Sequence, residues 1–402
     1  MATGSGKFST LYPVGGLRLG TASAGIKTAG RKDLVLMEMA AGSTVTGVFT
    51  QNRFCAAPVM VAKRHLQADA SRYMLINTGN ANAGTGEQGV ADALKCCQAV
   101  ADAVDAQPQQ ILPFSTGVIG EPLPVDRLLA ALPSAIDNLS EQGWAEAAEG
   151  ILTTDTRPKG ASLQFDINDA QVTITGISKG SGMIKPNMAT MLGFVATDAA
   201  VNEELLHRSV RLATEKSFNR ITVDGDTSTN DSVMLIATGS SGVEIDESTF
   251  EVFLAQLTEV FIALAQAIIR DGEGASKFVS VIVEGAEDTQ EALDVAYTIA
   301  ESPLVKTALT ASDPNWGRIL AAIGRSGVED LDVSKVQLSL NSVLIADCGC
   351  RAASYTEAQG QQAMQSEDIE IRVALNRGQA TETVWTTDLS YEYVRINAEY
   401  RT

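Results

Sequence analysis

The chain has 402 residues, 45% of them apolar, and its 30 basic and 49 acidic side chains give a formal charge of −19. A surface this negative repels phosphate backbones and anionic membranes, so nucleic acid and membranes are excluded as partners and the charge reads as solubility. Two histidines disfavour a Ser-His-Asp or Cys-His mechanism and a multi-histidine metal centre, and five cysteines, an odd count in a long acidic chain, do not read as a secreted disulfide framework.

The N-terminal MATGSGKFST has no apolar signal core and no arginine-rich amphipathic pattern. No run approaches the roughly 18 apolar residues of a membrane span, so a cytoplasmic protein is expected. His65, in KRHLQAD, reads as polar surface. YMLIN (73–77) reads as a strand, and residues 89–104 read as a helix whose apolar face carries Val90, Leu94, Cys97 and Ala101. That places Cys97 in the core. Between them GTGEQG (84–89) has the G-x-G-x-x-G spacing of a dinucleotide site, and it is rejected on three counts. The apolar strand ends well before Gly84, Glu87 would stand among the phosphates, and Asp105 precedes the next strand, ILPF, instead of ending it.

Further along, LQFDINDAQVTIT (163–175) alternates on either side of Asn168-Asp169 and predicts a hairpin. Strands are predicted at 192–197, 221–224 and 232–237. The helix over 202–217 puts His207 on its polar face. The strongest helix spans 248–270, with Ser248 and Glu251 as a capping box and Gly272 as its stop. Strands at 279–284, 336–340, 369–375 and 380–386 follow, the last two joined by NRG (376–378) as a hairpin turn, with weaker helices at 288–301 and 357–365. CGC (348–350) lacks the Cys-x-x-Cys spacing of a zinc half-site. Hairpins interspersed with long helices predict an α+β fold of sheets covered by helices, not a regular βαβ repeat. A boundary near 280 divides a main catalytic domain, 1–280, from a smaller C-terminal α/β domain, 281–402.

One stretch fits ordinary structure poorly. KGSGMIKPNMATMLGF (179–194) places a basic, glycine-rich segment directly against an apolar run that Thr190 opens. A glycine-rich loop entering a strand accounts for it without chemistry. A second reading does more. If the bond between Ala189 and Thr190 is cut, Thr190 gains an α-amine that can activate its own hydroxyl, and no histidine is needed. The cut can be intramolecular: the hydroxyl attacks the Ala189 carbonyl, the amide shifts to an ester, and water releases it.

The segment KGSGMIKPNMATML resembles the processing segment of the ornithine acetyltransferase family, the glutamate N-acetyltransferases of arginine biosynthesis. Further similar segments follow in order: TGVFTQNRFCAAPV (46–59), NTGNANAGTGEQG (77–89), STGVIGEPLP (115–124), TTDTRPK (153–159), VDGDTSTND (223–231), RDGEGASK (270–277), DPNWGRI (313–319) and the terminal INAEYRT. The resemblance implies an N-terminal-nucleophile type of site and self-cleavage into 1–189 and 190–402. It implies Thr190 as nucleophile and Thr116-Gly117 as the oxyanion hole. It implies a substrate pocket of Thr156, Lys179, Thr190, Glu273, Asn397 and Thr402, with Thr154 and Thr156 both open as the contacting member of TTDT. The implied reaction moves acetyl from N2-acetyl-L-ornithine to L-glutamate. No cofactor is implied, acetyl-CoA stays open as a second donor, and two cleaved protomers are expected to pair as α2β2. The alternatives are an aminopeptidase or amidase of the same site type, in which water replaces glutamate, and a non-catalytic binding protein with an uncut chain.

Overall fold

The computed structural model describes residues 2–4, 6, 10–68, 70–185 and 191–399. From the N-terminus, β1 (Leu17–Ala22), β2 (Leu34–Met39) and β3 (Thr44–Phe49) precede α1 (Ala57–Ala68), β4 (Tyr73–Asn80), α2 (Gly86–Val104) and β5 (Ile111–Val118). Two helices, α3 (Val125–Asp137) and α4 (Trp144–Gly150), lead to the hairpin β6 (Lys159–Ile167) and β7 (Ala170–Lys179). Next come β8 (Leu192–Thr197), β9 (Ala200–Val201), α5 (Glu203–Glu215), β10 (Ser232–Ala237), β11 (Glu244–Ile245) and α6 (Phe250–Arg270). The remainder is β12 (Phe278–Ala286), α7 (Thr289–Ala300), α8 (Pro303–Thr310), α9 (Trp316–Gly324), β13 (Gln337–Leu340), β14 (Val343–Asp347), β15 (Cys350–Arg351), α10 (Glu357–Ala363), β16 (Asp368–Ala374), β17 (Ala380–Thr387) and α11 (Tyr391–Ala398).

Two sheets make the centre. One has the order β1-β2-β4-β5 and the other β3-β10-β8-β7-β6. They pack face to face, with Phe114 of β5 meeting Phe194 of β8 edge-on at 5.2 Å. Successive residues of the central strands serve opposite faces. Leu192, Phe194 and Ala196 of β8 and Met234 and Ile236 of β10 enter the core between the sheets, with Met74 and Ile76 of β4. Val195, Val233 and Leu235 instead meet α5 and α6, while Leu34, Leu36 and Leu75 meet α2 and α3. Both faces are buried, so these strands read as unbroken apolar runs. The result is four layers, helix–sheet–sheet–helix, within the α+β class that the sequence predicts.

A third sheet, β15-β14-β13-β16-β12-β17, has its own core with α7 and α9. Here the predicted hairpin at NRG is corrected. β16 and β17 are not neighbours, because β12 lies between them, parallel to β16 and antiparallel to β17. The turn crosses the end of β12, where the Arg377 and Gly378 amides both donate to Gly285 O (2.7 and 2.9 Å). Val279, Val281 and Val283 of β12 are fully buried, so the most apolar strand takes the interior place, a choice that local turn chemistry does not record.

Other departures have equally local causes. Residues 221–224 form no strand, and Ile221 makes a single bridge to Trp385. The capping box at Ser248 does not form: Thr249 is the cap residue, without a side-chain cap bond, and Asp246 accepts from the amides of Ser248 and Thr249. His65 is buried, its Nδ1 2.8 Å from Ile111 O, because β5 lies over that face of α1. His207 is on the exposed side of α5, as expected, against Thr46. Cys97 is buried, and burial pushes its thiol up to about 12. The absence of a membrane-length apolar run is also corrected. α6 is long and apolar enough to cross a membrane, yet Phe253, Leu257, Phe261, Leu264 and Ile268 pack it against β6 and β7.

Candidate active site

The apolar strands end in polar residues at one end of the sandwich, and those ends converge. β5 delivers Thr116 and Gly117, β7 delivers Lys179, and the turn before β10 delivers Ser228 to Asp231. They line a cavity of about 260 Å³ together with Glu273, just beyond α6, and Asn397 of α11. Lys179 Nζ donates to Thr116 Oγ1 at 3.2 Å, which ties the two sheets together at the cavity. Gly117 has φ of +138°, and a Cβ there would lie 2.3 Å from the Gly79 carbonyl carbon. Only glycine allows β5 to approach β4 this closely.

Behind the wall lies a buried charge cluster. Lys159 Nζ is 2.6 Å from both Asp155 Oδ1 and Asp271 Oδ2, with all three side chains shielded from solvent. Asp155 also accepts from the Gly180 amide at 2.7 Å. Burial alone would push the Asp155 carboxyl up, but the Lys159 and Lys179 ammonium groups hold it well below the usual carboxylate range. Burial lowers the pKa of Lys179, opposed by Asp155, Asp231 and Glu273.

The glycine-rich segment is firmly tethered up to Lys185. Asp224 accepts from the amides of Met183 (2.6 Å) and Ile184 (2.9 Å), and Lys185 pairs with Glu301 at 2.8 Å. Gly182 lies in close contact with the acid opposite it, and a Cβ there would fall 2.5 Å from the Glu273 carboxylate. Glu273 donates its amide to Ser181 O (2.8 Å) and accepts from Asn397 Nδ2 (2.7 Å), so the C-terminal helix completes the wall.

Thr116, Gly117, Lys179, Glu273 and Asn397 are thus brought together. Thr156 is not among the lining residues. It is exposed, and its amide and hydroxyl both donate to Asp271. Thr153 and Thr154 line the cavity instead, with Thr154 Oγ1 2.7 Å from Ser181 Oγ. Ala189, Thr190 and Thr402 lie outside the described residues. Met191, bonded to Thr190, lines the cavity. Sequence reasoning assigned no role to Asp231 or to the Asp155–Lys159–Asp271 cluster. The signal for part of it was the i,i+4 pair of unlike charges in TTDTRPK; Asp271 is too distant in sequence to be paired by inspection.

The model of the ArgJ family matches residues 18–402. The chain belongs to the ArgJ family. It is 61% identical, over the whole length of both chains, to the arginine biosynthesis bifunctional protein ArgJ of Pseudomonas fluorescens. Among solved structures, a chain of the arginine biosynthesis bifunctional protein ArgJ of Bacillus halodurans is 38% identical, covering 51% of this chain and 97% of that one with a TM-score of 0.49. A chain of the ornithine acetyltransferase of Mycobacterium tuberculosis, complexed with ornithine, is 33% identical, covering 44% of this chain and 94% of that one with a TM-score of 0.39.

The carboxylate of Glu273 offers a partner for a substrate ammonium. Replacing it by glutamine removes a charge-assisted bond worth about 1.5–3 kcal/mol, so KM for a cationic substrate rises roughly 10- to 100-fold while kcat changes less. Burial pushes Glu273 above its ordinary 4.5, against hydrogen bonds from Thr154 and Asn397. Only the ionised carboxylate can pair with an ammonium. In the parent, KM therefore climbs as the pH falls through that raised value, and Glu273→Gln flattens the climb. Steady-state kinetics across pH checks both.

Proposed function

We propose that Thr190, freed by cleavage after Ala189, carries acetyl between two amino acids in this cavity. The protein is a glutamate N-acetyltransferase of arginine biosynthesis, moving acetyl from N2-acetyl-L-ornithine to L-glutamate. Thr190 Oγ attacks the acetyl carbonyl and its proton passes to the new α-nitrogen. Thr116 and Gly117 receive the oxyanion, each donor contributing about 3 kcal/mol to barrier lowering. Ornithine leaves with the proton, and the glutamate amine then attacks the acetyl-threonine ester.

Lys179 attracts the substrate carboxylate, Glu273 the ornithine ammonium, and Thr154 takes the contact left open between it and Thr156. Thr402 is assigned to the same pocket by family resemblance. One residue supplies both nucleophile and base, so the cycle uses no cofactor. Acetyl-CoA serves as a second donor to the same acyl-enzyme, in keeping with the bifunctional description of the Pseudomonas fluorescens relative. Two cleaved protomers work together as α2β2 in the cytoplasm.

The observation that carries this reading is the meeting of Thr116, Gly117, Lys179, Glu273 and Asn397 on one cavity that Met191 also lines. Following ornithine release from N-acetylornithine with and without glutamate tests it. Glutamate-dependent release, matched mole for mole by N-acetylglutamate and with ping-pong kinetics, is the expected result. Release at the same rate without glutamate would make the protein a hydrolase instead.

A further inference from the structure

The two amino acids of the proposed reaction set one cavity an electrostatic problem. Ornithine carries an ammonium on its side chain and glutamate a carboxylate. Glu273 attracts the first and, by the same charge, repels the second. Lys179 is already given to the α-carboxylate that both share. The glutamate side chain therefore needs a cation elsewhere, within reach of the same reacting centre.

A second cavity, also of about 260 Å³, supplies one. Gly117, Thr153 and Thr154 line both cavities, whereas Lys27 and Arg31 line only the second. Arg31 reaches the shared wall directly, donating from its guanidinium to the carbonyls of Thr153 (3.3 Å) and Leu152 (2.5 Å). Its planar fork carries further N–H groups beyond these two. Lys27 lies on the strand pair that bears Gly117. Gly79 of β4 stands opposite Gly117 of β5, and a Cβ at Gly79 would fall 3.3 Å from Lys27 Cβ. The loop that carries Lys27 is fixed, because Asp33 accepts from the amides of Ala24 (2.5 Å) and Ile26 (2.7 Å) and Arg127 donates to Gly25 O at 2.8 Å. Both oxygens of Asp33 are thereby committed to backbone amides; the other carboxylate on this wall, Glu399, belongs to an exposed residue.

We propose that the second cavity is the acceptor subsite: Lys27 and Arg31 bind the side-chain carboxylate of glutamate, while its α-carboxylate stays with Lys179. This deepens the acetyl-transfer reading and rests on it. Donor and acceptor share one α-carboxylate site and one reacting centre, and their side chains part, ornithine toward Glu273 and glutamate toward the two cations. A guanidinium and an ammonium together suit a carboxylate, the first through paired N–H groups and the second as a point charge. The cavity is smaller than the roughly 300–1,000 Å³ of sites for drug-sized ligands, so it fits a short acidic side chain and not a nucleotide.

The test is Lys27→Met and Lys27→Glu in the full chain. Lys27 is exposed, so neither change disturbs the core. In ping-pong kinetics kcat/KM for each substrate reads its own half-reaction, which makes N-acetylornithine the control for glutamate. KM for glutamate is expected to rise roughly tenfold in Lys27→Met and roughly 100-fold in Lys27→Glu, where a like charge faces the ligand. For N-acetylornithine kcat/KM stays within about twofold. Glutamine, with a neutral side chain, loses less as an acceptor, so the preference for glutamate over glutamine narrows. A Lys27→Glu enzyme with the parental KM for glutamate overturns the proposal. So does an equal fall in both half-reactions, which would make the loop a support for the wall, or a loss confined to acetyl-CoA as donor, which would place the cations on its phosphates. Each of these leaves the acetyl-transfer reading intact, whereas a parent that releases ornithine as fast without glutamate as with it removes that reading and the proposal together.

Discussion

Thr190→Ala leaves one uncut chain of 42.4 kDa on denaturing electrophoresis and abolishes acetyl transfer. Both follow from losing one oxygen. The alanine variant cannot attack the carbonyl of residue 189, so the amide never shifts to an ester and no amino terminus is created at 190. It cannot form an acetyl ester either. In a serine protease, removal of the nucleophile lowers kcat on the order of 10⁶-fold, and a fall of that order takes transfer to background here. Thr190→Ser keeps a hydroxyl, so it is cut and retains measurable transfer. Intact mass, electrophoresis and ornithine release on the parent and both variants are the measurements. An alanine variant that is active and uncut removes Thr190 from the chemistry.

Lys159→Met destabilises the protein by about 3–5 kcal/mol, the cost of breaking a buried ion pair by removing one partner. Methionine fills most of the lysine volume, so the effect is electrostatic. Asp155 and Asp271 lose the ammonium 2.6 Å from each, inside a region closed to water. The damage reaches the cavity, because Asp155 fixes the amide of Gly180, which lines it. Denaturant unfolding at neutral pH measures the loss. Its pH dependence carries a sign. Asp155 is held below the ordinary carboxylate range in the folded protein, so its contribution is complete above the unfolded value near 3.9 and is lost as the pH falls through the folded one. The parent should lose stability over that acid window, and Lys159→Met should lose less there because the depression is weaker.

Much of the architecture is legible in the chain. Asn168 and Asp169, both at positive φ, turn β6 into β7 where the alternation breaks. α6 follows its helical spacing closely, and its polar cap differs where Asp246 takes the Ser248 amide that a capping box would use. The failures share a cause. His65 looks polar beside Lys63, Arg64 and Gln67 until β5 covers it. NRG looks like a hairpin until β12 enters between its strands. Each depends on a partner far away in sequence, which no local pattern encodes.

The candidate site divides in the same way. Composition and motif spacing determine that histidine chemistry is disfavoured, that Thr190 can be nucleophile and base at once, and which acetyl-transfer family the chain resembles. These are properties of residue types and of their order, and they survive any arrangement of the chain in space. Tertiary packing decides that Thr154 and not Thr156 faces the cavity, because Asp271 takes both donors of Thr156. Packing also shuts Lys159 between two carboxylates. Burial and the direction of a hydrogen bond depend on segments over a hundred residues apart, and they exist only once the sheets have closed on each other.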